Sequence, residues 1–184
     1  MCQDNYHGTI VNAQYSPVYG GVMSFDGYTS SGRINIPLYT SDGIDHTFEI
    51  WAKKTPNTFR SYWWGGGFGY MRTELNNYDY SWGYYTGFND NNSYEEWHQL
   101  VAMAPNPVAP NYISKVLYLN GEFKSSSTSS FGIGIGSNFA LGIQPGTNYD
   151  PWNGYISIFR IYNRILEPDE IQQNYLATKG RYGL

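Results

Sequence analysis

The sequence predicts an all-β fold, antiparallel strands in facing sheets, closed by one short C-terminal helix. Composition is the first observation behind this. Of 184 residues, 41% are hydrophobic and 14% charged, with Tyr 19, Phe 9, Trp 6, Gly 21 and Pro 9. Abundant Tyr, Gly, Ser, Thr and Asn with few charges suits short strands joined by tight turns. The second observation is the regular return of turn signals between strand-like segments, the spacing of a sandwich or barrel. The third is that a single stretch, near the C-terminus, carries helix start and stop signals. Length fits one domain over residues 1–184, since two would each be too small to bury much core.

Strands are expected at Gly8 to Val11, Val22 to Phe25, Arg33 to Ile36, His46 to Lys53, Ser61 to Trp64 and Gly69 to Glu74. More follow at Tyr80 to Thr86, Trp97 to Ala104, Lys115 to Leu119, Phe139 to Ile143 and Tyr155 to Tyr162. In His46 to Lys53, alternation puts Phe48, Ile50 and Ala52 on a packed face and Thr47, Glu49, Trp51 and Lys53 on a mostly wet one. Asn120-Gly121 reads as a hairpin turn because both residues accept positive φ, so Glu122 to Lys124 should return beside Val116 to Leu119. Ser125 to Ser130 reads as a loop. The helix runs from Pro168 to about Thr178, with Pro at its first position and Asp169 and Glu170 in the first turn. Ile171 and Tyr175, four apart, form its buried stripe.

Several function classes fall away. A net charge of −4 and scattered Lys and Arg argue against a nucleic-acid partner. Cys2 is the lone cysteine, which excludes a disulfide framework and a metal-thiolate cluster. No apolar run has the length of a membrane span or the layout of an export signal, so no membrane partner is expected.

The ordered motifs carry a resemblance. Asn5-Tyr-His-Gly-Thr-Ile-Val-Asn12, Val22-Met-Ser-Phe-Asp-Gly27, Phe48-Glu-Ile-Trp-Ala52, Trp97-His98, Leu117-Tyr-Leu-Asn-Gly121 and Gly154-Tyr-Ile-Ser-Ile-Phe-Arg-Ile-Tyr-Asn-Arg164 followed by Glu170-Ile171 occur in series. Taken together they resemble laminin-G-like, concanavalin A-like jelly-roll domains. The resemblance implies a two-sheet antiparallel jelly-roll sandwich, with Phe48, Ile50 and Trp97 in its core and Asp26-Gly27 closing a turn. The closing run Asn174 to Leu184 resembles the end of such domains in structural proteins of tailed bacteriophages. It implies a virion surface protein, decorating a capsid or part of a fibre, with other virion proteins as partners in an oligomeric assembly. The start is shorter than the lead such domains carry, so either a preceding segment is missing or this is a compact version.

Chemistry is sparse. Retaining glycosidases need two carboxylates about 5–5.5 Å apart. Here Glu49 stands alone on its strand, and Glu95-Glu96 are adjacent and would point to opposite faces. His7, His46 and His98 are far apart, no Gly-x-Ser-x-Gly elbow exists, and no His or Cys pair has zinc spacing. The string Gly132 to Gly136 lacks the lysine and helix of a phosphate loop and reads as a tight passage between strands. The protein is therefore expected to be no enzyme and to need no cofactor, with calcium the one metal left open. Candidate ligands are Asp26, Asp42, Asp45, Asp79, Asp90 and Asp150, of which Asp26 and Asp150 lead because the resemblance places them beside end loops.

Aromatic side chains point to binding. Tyr62-Trp63-Trp64 through Phe88 holds more rings than the inward faces of two strands absorb. Aromatic faces stack on sugars and anchor protein interfaces. Candidate contacts are Tyr62, Trp63, Trp64, Tyr85 and Trp152, with Tyr182 and Leu184 as docking elements at the end of the chain. The alternative to a virion component is a lectin that binds glycans through Trp63, Trp64 and Trp152, with or without calcium.

Overall fold

The computed structural model describes residues 8–27, 32–37, 45–55, 61–66, 69–73, 79–82, 86–89, 95–104, 113–129, 139–144 and 150–184. For 61–66, 69–73, 79–82, 86–89, 104, 113–114 and 128–129 it describes backbone alone. In chain order the strands are β1 (Thr9–Val11), β2 (Gln14–Ser16), β3 (Val22–Asp26), β4 (Arg33–Ile36), β5 (His46–Lys54), β6 (Ser61–Gly66) and β7 (Gly69–Thr73). Then come β8 (Asp79–Trp82), β9 (Thr86–Asn89), β10 (Trp97–Ala104), β11 (Ile113–Leu119), β12 (Glu122–Ser129), β13 (Phe139–Leu141) and β14 (Asn153–Tyr162). Helix α1 spans Pro168–Lys179, and short 3-10 turns stand at Val18–Gly20 and Gly180–Tyr182.

These strands form two antiparallel sheets. One has the order β1-β4-β13-β6-β7-β8-β9 and the other β12-β11-β10-β5-β14-β3-β2. Between them lies the main core, with Phe25, Phe48, Ile50, Leu100, Leu117, Phe139, Leu141, Trp152 and Ile156 buried. Phe48 stacks on Phe139 across the gap, with ring centroids 6.4 Å apart. No helix among the described residues is long and apolar enough to cross a membrane.

Three local expectations change. Tyr80 to Thr86 is not one strand, because β8 ends at Trp82 and β9 begins at Thr86, paired antiparallel with Trp82 opposite Thr86. The serine-rich stretch is strand up to Ser129, with Lys115 opposite Ser127 and Val116 opposite Ser126. Ladder hydrogen bonds come from the backbone, so a serine run can form a strand when a neighbour is in register. The third change concerns β5, whose outer face is not wet. Thr47, Glu49 and Trp51 there are as buried as Phe48, Ile50 and Ala52 on the inner face.

The cause is the C-terminal segment, which lies across the outer face of this sheet. Val22, Trp51, Trp97 and Tyr182 form one cluster beneath it, and Val101, Met103, Tyr118, Leu166 and Ile171 another. Trp97 is therefore buried as expected, but under the strap and not between the sheets. Each such large side chain removed from water contributes about 1.5–3 kcal/mol. The helix starts as expected, with Pro168 in its first turn and a reciprocal capping box between Glu167 and Glu170. A bidentate Arg164–Glu170 pair at 2.6 Å precedes it. The Arg164 hydrogen bonds, with the Glu167 N–H, hold the Glu170 carboxyl down at a pKa of about 2. Ile171 is fully buried, and Tyr175 stacks on Trp51 at 5.8 Å.

The Asn120-Gly121 turn forms as expected, with φ 53 and 82. A Cβ on Gly121 would come within 2.2 Å of the Gln172 Oε1 of α1, a flexible side-chain end that can swing away. The cost of Gly121→Ala is then mainly the left-handed backbone, about 1–2 kcal/mol. Urea denaturation of this variant measures it.

Lys54 is buried at the end of β5, and burial lowers its pKa from 10.5 to about 8. The unfolded chain therefore binds the proton more tightly than the folded one. Stability should rise as pH climbs from about 8 to 10.5, by at most about 3 kcal/mol. Lys54→Met should lose this rise in stability between about pH 8 and 10.5. Thermal unfolding of both proteins across that range checks the sign.

Candidate functional site

Glu49 occupies the centre of the strapped face and is fully buried. Its Oε1 accepts hydrogen bonds from Arg160 at 2.8 Å, Gln99 Nε2 at 3.0 Å and Trp51 Nε1 at 3.3 Å. Its Oε2 accepts from Tyr162 OH and Asn174 Nδ2, both at 3.1 Å. A bulge in β14 makes this constellation. Ile156 pairs with Ala52 and faces the core, whereas after the bulge Ile158 pairs with Trp51 and Arg160 with Glu49 on the outer face. Burial, and then the charge and hydrogen bond of Glu49, raise the Tyr162 pKa. Thr47 ties the next turn, donating to the Arg164 carbonyl at 2.8 Å and accepting from the Leu166 N–H at 3.1 Å. This is a structural clasp that joins β5, β10, β14 and α1. A carboxylate enclosed by five donors is in no position to protonate a leaving group or attack a sugar.

The aromatic segment lies on the other sheet, in four adjacent strands, β6 to β9. Backbone register sorts its residues. Leu141, a core residue, pairs with Trp64, Trp64 with Met71, Met71 with Trp82 and Trp82 with Thr86. Directly paired residues share a face of an antiparallel sheet. That row, and the Thr73, Tyr80 and Phe88 row two positions along, therefore belong to the core-facing side. The alternating row places Tyr62 opposite Arg72, Arg72 opposite Ser81 and Ser81 opposite Gly87, while Tyr70 stands opposite Gly65. A bulge between Tyr62 and Trp64 sets the two residues on opposite faces. The outward positions are thus two tyrosines with Arg72, Ser81 and glycines, and the inward ones are Trp64, Met71, Tyr80, Trp82 and Phe88 with Thr73 and Thr86. The rings outnumber the inward positions of two strands, but four strands share them.

With this geometry in place, the family is decided by a sequence-family model described as the concanavalin A-like lectin/glucanases superfamily, which matches residues 23–172. The chain belongs to that superfamily. Among solved structures, the lectin/glucanase-family chain is similar to domain 4 of an extracellular arabinanase from Geobacillus stearothermophilus, in complex with arabinotriose. The TM-score is 0.66 at 18% identity, over 92% of this chain and 86% of that one. It is also similar to the binding domain of botulinum neurotoxin serotype G, with TM-score 0.67 and 14% identity over 95% of this chain and 47% of that one. The binding domain of botulinum neurotoxin DC in complex with SialylT gives TM-score 0.65 at 13% identity, over 95% and 47%. The superfamily chain spans about half the length of these neurotoxin domains. At such identities the likeness is one of fold. No curated protein sequence matches the chain.

Of the residues singled out from sequence, Tyr62, Trp63 and Trp64 fall on β6, where backbone is described, and Tyr85 lies outside the described residues. Trp152 is not a surface platform; it is fully buried in the inter-sheet core, its backbone N–H bonded to the Gly142 carbonyl at 2.8 Å. Tyr182 is buried by its own chain, stacked on Trp97 at 4.4 Å and Trp51 at 4.8 Å. Both are drawn inward because large rings find flat apolar neighbours there. Leu184 stays exposed.

The two leading calcium candidates come to one end of the strapped sheet. Asp26 ends β3 opposite Asn153, three positions after Asp150, which has φ 53. Calcium takes about six to eight oxygens. Among the described residues no group of three His, Cys, Asp or Glu is placed to hold a metal. Asp45 is described but joins no such group, Asp79 is described in backbone only, and Asp42, Asp90, Cys2, His7 and Gly132 to Gly136 lie outside the described residues. His98 is a buried strand residue, its Nδ1 3.4 Å from Asn120 Nδ2. Sequence reasoning missed Tyr70 and Arg72 as outward partners of Tyr62. Only the register of β6 on β7 reveals them.

Proposed function

We propose that this chain is a non-catalytic carbohydrate-binding module that takes glycans on the outward face of β6 to β9. The row that sets Tyr62, Tyr70, Arg72 and Ser81 on one side of that sheet carries the reading. Tyrosine rings among hydrogen-bonding side chains suit a sugar, which offers apolar ring faces and a polar rim. Membership of a superfamily of lectins and glucanases supports it, as do similar folds described with arabinotriose and SialylT. The engagement of Glu49 in the clasp favours the lectin side of that pair over the glucanase side.

Titration of the chain with arabinan fragments and a panel of neutral oligosaccharides, with and without EDTA, tests the proposal. Saturable binding without release of new reducing ends is expected. Hydrolysis of any panel member, or no saturable binding across the panel, would overturn it.

Placement on a virion surface draws its support from the closing run Asn174 to Leu184. With Tyr182 buried beneath its own strap, Leu184 is the exposed member of the two docking residues. A symmetry-compatible copy number in purified particles supports this placement, and absence from the particles overturns it.

A further inference from the structure

The chain contains two Asn-Gly steps, Asn120-Gly121 and Asn153-Gly154, and both carry the same chemistry. In such a step the glycine backbone nitrogen can attack the Asn Cγ, because no side chain on the glycine obstructs the approach. The glycine N–H gives its proton to a solvent base, an N–Cγ bond forms, the Cγ–Nδ2 bond breaks and ammonia leaves. Water then opens the cyclic imide at either carbonyl, so that asparagine and water become aspartate or isoaspartate and ammonia. The step runs only if the carboxamide can turn onto the next backbone nitrogen, and there the fold separates the two sites.

Asn153-Gly154 is held on both sides. Gly154 lies in β14 between Phe25 of β3 and Lys54 of β5, and the Asn153 carbonyl accepts the Thr55 N–H at 2.9 Å. A Cβ on Gly154 would collide with the Lys53 carbonyl, so the backbone there has little room to swing. Freeing this step means dismantling the strapped sheet. Asn120-Gly121 instead forms the β11–β12 turn, half-exposed, with both residues at positive φ. A latch closes it. The Asn120 N–H donates to the Gln99 carbonyl at 2.8 Å, and its Oδ1 accepts the Gln99 N–H at 3.0 Å. Its Nδ2 stands 3.4 Å from His98 Nδ1. One residue thus takes both backbone groups of Gln99, and both ends of its carboxamide face β10. Cγ meets the Gly121 nitrogen only after these side-chain contacts break. Opening a turn costs less than unfolding a sheet, because few residues have to move.

We propose that Asn120 is a deamidation site gated by local opening of this latch, and that Asn153 is protected for as long as the strapped sheet stays folded. Reaction puts a carboxylate oxygen where the amide nitrogen faced His98. Isoaspartate also lengthens the backbone of the turn by a methylene, which disturbs the pairing of Leu119 with Glu122 that the turn sets. The damage reaches the strap, because Gly121 lies against Gln172 and Tyr175 of α1, and Tyr175 stacks on Trp51.

Peptide mapping by mass spectrometry of the full chain, aged in mildly alkaline buffer below its unfolding transition, tests the proposal. The same chain in urea supplies the unfolded rate of each step. In the folded chain Asn120 should accumulate aspartate and isoaspartate, faster as pH rises, and folding should slow Asn153 at least about tenfold more than Asn120. The factor by which folding slows Asn120 should match the hydrogen-exchange protection of the Gln99 N–H, since one opening frees both. His98→Leu removes one contact of the latch, and should speed the folded reaction while leaving the rate in urea unchanged. Where this buried substitution prevents folding, the exchange comparison on the unaltered chain decides. Equal slowing of Asn120 and Asn153 would show that only global unfolding admits the reaction, and would overturn the local gate. An Asn120 rate in the folded chain equal to its rate in urea would overturn it too, since the latch would then restrain nothing.

Discussion

Glu49→Ala is expected to lower the unfolding free energy by about 3–5 kcal/mol, the range for breaking a buried charged network. The substitution strands Gln99 Nε2, Trp51 Nε1 and Asn174 Nδ2 around a void, and a buried donor left unmade costs about 1–3 kcal/mol. Arg160 softens the loss, since its side chain is 39% exposed and can turn to water. Glu49→Gln keeps the shape and one acceptor, and should cost less than half as much. Urea denaturation followed by tryptophan fluorescence reads the change directly, because Trp51 and Trp97 lie beneath the strap. Glycan binding at low temperature, where the variant stays folded, should not change. A fully stable Glu49→Ala protein would remove the clasp from the account. Abolished glycan binding in a folded one would make Glu49 a site residue.

The second large effect is a contrast between neighbours. Tyr62→Ala should weaken glycan affinity by about 2 kcal/mol, roughly thirtyfold, the loss typical of an aromatic anchor at a binding surface. Its melting temperature should hardly move. Trp64→Ala, two residues on, should cost about 3–5 kcal/mol of stability, as large-to-small changes in a core do. The bulge between them is the reason, because it sends Tyr62 to the row of Arg72 and Trp64 to the row of Leu141. Calorimetry and denaturation of the two variants side by side decide it. Equal destabilisation by both would show that the two residues share a face.

Much of the frame was legible in the chain. Period-two alternation marked β5, the Asn120-Gly121 pair marked the β11–β12 hairpin, and Pro168 with its acidic neighbours marked α1. Those signals are local: a turn that needs positive φ, or a helix start that needs a cap, is written in adjacent residues. The limits of β12 were not legible, since a serine run has no strand signature and takes its conformation from the neighbouring β11. The division of the aromatic segment was hidden as well. A single extra residue in β6 reverses which side chains share a face, and nothing in the residues around Trp63 announces it.

By itself the sequence determined an aromatic-rich, charge-poor β sandwich with a helix at its end. Local pattern suffices for those conclusions because hydrophobic period and turn chemistry act over a few residues. Only the tertiary structure decided that Glu49 is enclosed in a clasp, that Trp152 and Tyr182 are buried, and that Tyr62 stands in register with Arg72. Each of these depends on partners distant in sequence: Asn174 lies 125 positions from Glu49, and Tyr182 reaches Trp51 from the far end of the chain. Such contacts are set by how the two sheets and the strap pack, and alternation along any one strand cannot say whether its outer face meets water or a helix.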